Sequence, residues 1–231
     1  MSEAQDLPVN PSTVFNESES PNDPVLIVFA GVNSTAGTTA VLVENIDTLK
    51  EKFKKVITIE YSSYKSCQSA ACEQRDKLPQ ECKFNPEQRM NQEIAAKAHE
   101  IIQSQNLTNV HLLGKCNGAW VAIELFLLGG GFYKNLYLVV PGIPPIGILK
   151  QLEAYPESKL FFGFVDKDGF YFKGWDKKSN EEMPRYIEEL ANLPNQNLVV
   201  KEYKIVGVDV KLADKLYHEL HPSMIEDIVN L

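Results

Sequence analysis

An α/β fold, a mostly parallel sheet with helices on both faces in three layers, follows from three observations on this sequence. Short runs that are apolar at every position alternate with stretches of helical spacing. The runs lack the in–out alternation of a sheet with one wet face, so they read as strands buried on both sides. Parallel neighbours need a crossover between them, and the helical stretches supply it. With 231 residues, 44% of them hydrophobic, the chain is long enough to bury a full core without a disulfide or metal staple.

Residues 1–24 are rich in proline, serine and acidic groups and poor in large apolar ones. They are expected to form a disordered or loosely attached N-terminal tail, closed by the turn signal Pro21-Asn22-Asp23-Pro24. Residues 25–231 read as a single domain. Val25 to Ala30 is a continuous apolar run stopped by Gly31 and predicts the first strand. Thr38 or Thr39 then caps a helix to about Phe53, with Val41, Leu42, Ile46, Leu49 and Phe53 near helical spacing. Val56–Tyr61, β-branched, is the second strand. Residues 62–86 hold three cysteines and no periodicity, so they form a long insertion. A polar helix spans about 86–105, and a strand 110–114 follows. Ala119–Leu128 is apolar on nearly all sides, which predicts an interior helix ended by Gly129-Gly130-Gly131. Further strands are expected at 136–140, 160–165 and 198–203, with helices at about 146–154, 181–193 and from Pro222 to the end.

Composition excludes whole classes of function. There are 31 acidic and 23 basic residues, a net charge of −8, and both nucleic acid and anionic membranes demand a basic footprint instead. No apolar run approaches the ~20 residues of a membrane span. The N-terminus lacks the basic-then-apolar order of a secretory signal, which points to a cytoplasmic protein. Three Asn-x-Ser/Thr triplets, at Asn16, Asn33 and Asn106, are then chance matches to the glycosylation pattern. Cys67, Cys72 and Cys82 have neither the close pair nor the fourth ligand of a zinc site; in a reducing compartment they are free thiols. No metal and no cofactor is expected.

The chemistry concentrates in Val110-His111-Leu112-Leu113-Gly114-Lys115-Cys116-Asn117-Gly118-Ala119-Trp120. This is a strand, a Gly-x-Cys-x-Gly turn and an apolar helix. A nucleophile on so tight a turn needs very small neighbours two residues away on each side, because strand and helix approach each other there. Gly114 and Gly118 meet that need around Cys116. The turn also sets Cys116 at a helix N-terminus, where backbone N–H groups and the helix dipole favour an anion, with Lys115 beside it.

Here the chain resembles the α/β-hydrolase superfamily over roughly residues 25–231. That superfamily's nucleophile elbow is Gly-x-Ser-x-Gly, or Gly-x-Cys-x-Gly in dienelactone-hydrolase-like members. The resemblance implies a Cys-His-Asp triad in the chain order nucleophile, acid, histidine. Gly163-Phe164-Val165-Asp166 looks like the family's Gly-x-x-Asp after the following strand, so Asp166 is the preferred acid and Asp168 its alternate. The Asp166–Gly169 stretch also reads as a plain polar turn, and later calcium-ligand positions are absent. Of the four histidines, His99 lies on a polar helix and His111 inside a strand. His218 and His221 fall where the family places its base. His221 is preferred because Pro222 can open the terminal helix after it, and His218 is the alternate. Their spacing is not that of a zinc-protease pair. The oxyanion hole implied by the family uses the N–H of the residue after the nucleophile, Asn117, and one from the loop after the first core strand, Val32 or alternatively Asn33. Many hydrolases carry His-Gly in that loop; this chain has Ala30-Gly31. The loop is no phosphate-binding loop, since the lysine and the glycine spacing are missing.

The implied reaction is cleavage of an ester, thioester or lactone in a small-molecule acyl substrate, through a covalent acyl-enzyme. A second reading keeps the fold without the chemistry, as a catalytically impaired binding or scaffold module.

Overall fold

The computed structural model describes residues 9–31, 35–61, 86–140, 150–165, 185, 187–193, 197–204 and 220–231. Seven strands form one sheet: β1 (Val9–Asn16), β2 (Val25–Phe29), β3 (Lys55–Tyr61), β4 (Val110–Lys115), β5 (Tyr133–Val139), β6 (Leu160–Val165) and β7 (Leu198–Tyr203). Their order is β1-β3-β2-β4-β5-β6-β7. Every pair is parallel except β1–β3. Among the described residues the helices are α1 (Thr35–Glu44), α2 (Ile46–Lys50), α3 (Pro86–Ser104), α4 (Gly118–Leu128) and α5 (Pro222–Asn230), and residues 187–191, within the helix expected at about 181–193, are helical as well.

Side-chain alternation divides the core between two faces. Val25, Ile27 and Phe29 of β2, Val110 and Leu112 of β4, and Leu136 and Leu138 of β5 pack on one face, under Ile94, Ala98 and Ile102 of α3 and most of α4. Leu26, Val28, Leu113, Tyr137 and Val139 take the other, under Leu42 of α1, Leu49 of α2 and Met224, Ile225 and Ile228 of α5. This is the predicted three-layer arrangement. All five residues of β2 and all six of β4 and of β6 are buried, which explains why their sequences show no polar face.

Three expectations are corrected. Residues 9–16 are not a loose tail: they form edge strand β1, antiparallel to β3 with Val9 opposite Tyr61 and Asn16 opposite Lys55. Only Phe15 in this strand is buried, so the alternation that marks a strand is nearly absent. Pro11, which argues against a strand in sequence, is tolerated at a sheet edge where an N–H can be dispensed with. The helix expected from Thr38 begins at Thr35 and breaks at Asn45, whose side chain bonds back to the Val41 carbonyl at 2.8 Å; an asparagine that binds its own backbone competes with the helical ladder. Of the helix expected at about 146–154, Lys150–Ala154 is a 3₁₀ segment, and 146–149 lie outside the described residues. The insertion expected at 62–86 lies, up to residue 85, outside the described residues.

From β2 the chain crosses to β3 on one side, and from β4 onward it builds on the other. The reversal lies between β2 and β4. In open parallel sheets a crevice forms beyond the carboxyl ends of the strands at such a point, and here those ends are Phe29 and Lys115.

Candidate active site

The turn leaving β4 has the geometry that the glycine spacing predicts. Cys116 has φ +53°, a left-handed conformation that costs a non-glycine residue energy and persists only where the surroundings enforce it. Asn117 returns to helical angles, φ −61° and ψ −27°, as the N-cap of α4. Neither flanking glycine has room for a side chain. A Cβ on Gly114 would stand 2.5 Å from Ala119 Cα, and one on Gly118 would stand 2.2 Å from the Phe29 carbonyl oxygen and 2.7 Å from that of Ala30. The helix thus starts against the end of β2, and Cys116 is left partly exposed above the two strands.

Backbone bonds hold the turn. The Cys116 N–H donates to Val139 O (3.3 Å) and the Ala119 N–H to Cys116 O (3.1 Å). Beside it, Val140 has φ +38° and donates its N–H to Gly163 O at 2.7 Å. A β-branched residue at positive φ is a genuine outlier. Two strained residues therefore sit at the carboxyl ends of adjacent strands, tied by the Cys116–Val139 bond, and such strain gathers at functional sites.

Tyr61, at the end of β3, closes the other flank. Its hydroxyl donates to the Ala30 carbonyl at 2.7 Å. Burial raises its phenol well above the usual range, the neighbouring Cys116 adds to the rise, and the Asn117 side chain opposes it. The Asn117 Nδ2 is itself buried without a full hydrogen bond. Tyr61 was not among the expected site residues. The only signal available in sequence was a tyrosine ending an apolar strand.

The remaining expected residues fare differently. Val32, Asn33, Asp166, Asp168 and His218 lie outside the described residues. His221 stands at the N-cap of α5 in extended conformation (φ −90°, ψ 142°), with Pro222 opening the helix, and is exposed. Its Nδ1 accepts from the Ser223 N–H at 3.2 Å. A triad histidine needs Nδ1 as a donor to its acid, so that role would require the cap bond to open. Lys115, read as standing beside the thiol, is fully buried, 1% exposed; strand alternation puts it on the Leu113 face of the sheet. Among the described residues, no group of three or more His, Cys, Asp or Glu side chains is placed to hold a metal. No helix there is long and apolar enough to cross a membrane.

No protein-family model matches this chain, and no curated protein matches it in sequence. Solved structures do. An IroE-like serine hydrolase from Shewanella oneidensis superposes with a TM-score of 0.57 at 11% identity, over 96% of this chain and 73% of that one. A protein from Thermoplasma acidophilum described as a predicted CIB-like hydrolase gives 0.54 at 12%, over 98% and 100%. The siderophore hydrolase EstA from Aspergillus nidulans gives 0.54 at 13%, over 97% and 88%. At such identities the likeness is one of fold, and the fold is α/β-hydrolase-like.

Proposed function

We propose that this chain is a hydrolase of carboxylic-ester-type bonds, in esters, thioesters or lactones, with Cys116 as nucleophile. One observation carries the reading: Cys116 is held at φ +53° on a strand-to-helix turn whose flanking glycines admit no Cβ, at the sheet's topological switch point. A backbone strained in this way exposes one side chain to the crevice and sets helix N–H groups behind it. The structural neighbours described above as hydrolases fit this reading. The Shewanella protein is described as a serine hydrolase, whereas the elbow here bears a thiol.

In the proposed reaction His221, or alternatively His218, takes the Cys116 proton, and Asp166, or Asp168, orients the imidazole. The sulfur adds to the substrate carbonyl. The Asn117 N–H, with that of Val32 or Asn33, receives the oxyanion. Collapse breaks the bond to the leaving group, which departs with the histidine's proton. Water then attacks the thioester, gives its proton to the same histidine, and releases the acid and the thiol. Steady-state assays over a panel of p-nitrophenyl esters test this. The wild type is expected to turn over at least one, and Cys116→Ala none. Absence of turnover by both the wild type and Cys116→Ser overturns the hydrolase reading.

The engaged Nδ1 of His221 favours the second reading, a binding or scaffold module on the same fold. Thiol labelling against pH separates the two. Cys116 labelling no faster than free cysteine at every pH supports the binding module, and labelling that tracks a histidine titration supports the hydrolase.

A further inference from the structure

We infer that Lys52 is an acylation site: its amine, set against two aromatic rings and beside a second lysine, takes the acyl group of an activated donor, a coenzyme A thioester or an acyl phosphate. Lys52 lies in the connection between α2 and β3, at the amino end of the sheet, and is half-buried. Its Nζ stands 5.7 Å from the centre of the Phe53 ring and 5.5 Å from that of Tyr137, and it donates to the Ile228 carbonyl at 2.9 Å. That carbonyl is in the last turn of α5, where carbonyls lack a helical partner. Lys159 donates to the carbonyl of Leu231, three residues on, so one helix end holds both amines. His111 packs against the same two rings as Lys52. From His111 to Cys116 is five residues of strand, about 16 Å. The inference therefore goes beyond the hydrolase reading and does not depend on it.

A lysine in water is an ammonium and no nucleophile. Two features here favour that form: aromatic faces attract a cation, and so does the carboxyl end of a helix. Two others oppose it. Burial deprives the charge of water and the Lys159 charge repels it; together they prevail and push Lys52 down to about 8. Desolvation and a neighbouring cation are the means by which a lysine becomes a nucleophile near neutral pH. Among the described residues no carboxylate is paired with Lys52. Glu17 pairs with Lys50, and Asp227, beside Ile228 in α5, is engaged by Lys201 at 2.5 Å and by the Tyr203 hydroxyl. His111 brings no charge either, its pKa pushed down to about 4 by burial and by Lys52 and Lys134. A neutral Lys52 commits one N–H to Ile228 and keeps its lone pair. That pair adds to the acyl carbonyl and forms an amide C–N bond. The C–S or C–O bond to the donor breaks, the thiolate or phosphate departs with its electron pair, and the surplus amine proton passes to water. Lys134 and Lys159, both exposed, give this end of an acidic chain a local positive field suited to a phosphate-bearing donor.

Lys54, two residues on and exposed, is the internal reference. The full chain is incubated at about pH 7.5 with acetyl-coenzyme A or, separately, with acetyl phosphate, and acetylation of each lysine is followed by peptide mass spectrometry. Near that pH a group titrating at about 8 is neutral roughly a hundred times more often than an ordinary lysine. A weaker base is also a weaker nucleophile, so Lys52 is expected to react at least about tenfold faster than Lys54. Its rate is expected to bend near pH 8, while that of Lys54 goes on climbing. Selectivity with either donor alone supports the inference and identifies the source of the acyl group. Lys52 acetylated no faster than Lys54 by both donors overturns it. So does selectivity that persists in protein unfolded by guanidinium, since the fold would then have no part in it. The same incubations with Cys116→Ala keep the two readings apart. An equal ratio there supports direct acylation, whatever the ester assays show of the hydrolase; loss of Lys52 labelling there makes the Cys116 thioester the donor and overturns the direct step.

Discussion

The two ends of the sheet bury polar groups by opposite means. At the carboxyl end the cost is carried by the backbone: Cys116 and Val140 have positive φ, and Gly118 lies against the Phe29 carbonyl. At the amino end the described positive-φ residues are Asn106, Gly130 and Gly131, types that adopt it at little cost, and the cost of burial is carried by protonation. His111 of β4 lies between Phe53 and Tyr137, its ring edge-on to the first and stacked with the second. Its Nε2–H donates to Asn109 Oδ1 at 3.1 Å while Nδ1 has no partner. Burial, with the nearby Lys52 and Lys134 charges, pushes its pKa down to about 4. His99 shares a 2.7 Å hydrogen bond with the buried Tyr133 hydroxyl. A ring that can shed its proton fits an apolar place without distorting the chain; a side chain held on a strand-to-helix turn is not accommodated that way. Strain at Cys116 and Val140, more than burial of titratable groups, is what distinguishes the carboxyl end.

The largest test of that contrast concerns His221, the one histidine described near the start of α5. Asparagine is as good an N-cap as any residue but is no base. His221→Asn is therefore expected to hold its unfolding midpoint while kcat falls about 10²–10⁴-fold, the contribution of a positioned general base. Full activity would pass the role to His218, which the same substitution then checks.

Next in size is Gly118→Ala. A methyl group placed 2.2 Å from a backbone carbonyl has no flexible neighbour to displace, so urea denaturation is expected to show a loss of at least about 3 kcal/mol, the upper part of the overpacking range. A loss below 1 kcal/mol would mean that α4 and β2 are less tightly apposed than described.

At the amino end the expected signal is a pH slope. The native pKa of His111, about 4, lies below the ordinary 6.5, so between those values the unfolded chain binds a proton that the native chain does not. Stability then rises with pH across this window, and falls by up to about 3 kcal/mol as pH drops from 6.5 to 4. His111→Gln is expected to flatten that part of the profile; an unchanged slope would assign it to other groups.

The smallest effect is a control within α1. A Cβ on Gly37 meets nothing within 4 Å, and a glycine inside a helix costs roughly 0.5–1 kcal/mol relative to alanine. Gly37→Ala is expected to raise stability by about that amount, opposite in sign to Gly118→Ala. Destabilisation instead would mean that Gly37 is required for something other than space.

What the sequence disclosed follows the range of the forces involved. Strand β6 coincides with its predicted span and β2 is one residue shorter, because full burial writes itself as an unbroken apolar run; β7 coincides as well, although only Tyr203 in it is buried. The strand-to-helix turn was legible because its demand is local: two glycines on either side of Cys116 within five residues. β1 was hidden because its partner lies in β3, far along the chain, and one buried phenylalanine in eight residues makes no pattern. Tyr61 was hidden for a related reason. Its bond to Ala30 joins residues 31 apart, and no spacing rule connects them. His221 shows the limit in between: Pro222 marked the start of the helix, yet nothing in sequence could say that the imidazole would serve as the cap acceptor.

The edge strand has a practical side. β3 is rich in β-branched residues, with Val56, Ile57 and Ile59 buried, and bare along its outer edge it would be a ready template for another chain. β1 covers it while itself showing a proline and mostly polar, exposed side chains outward. A good template is thus hidden behind a poor one. Held to the core by Phe15 and the partly buried Val9 and Val14 alone, β1 is also the strand most easily peeled, so its amides should lead the sheet in hydrogen exchange. Removing residues 1–17 for expression would expose that template and is expected to yield aggregates.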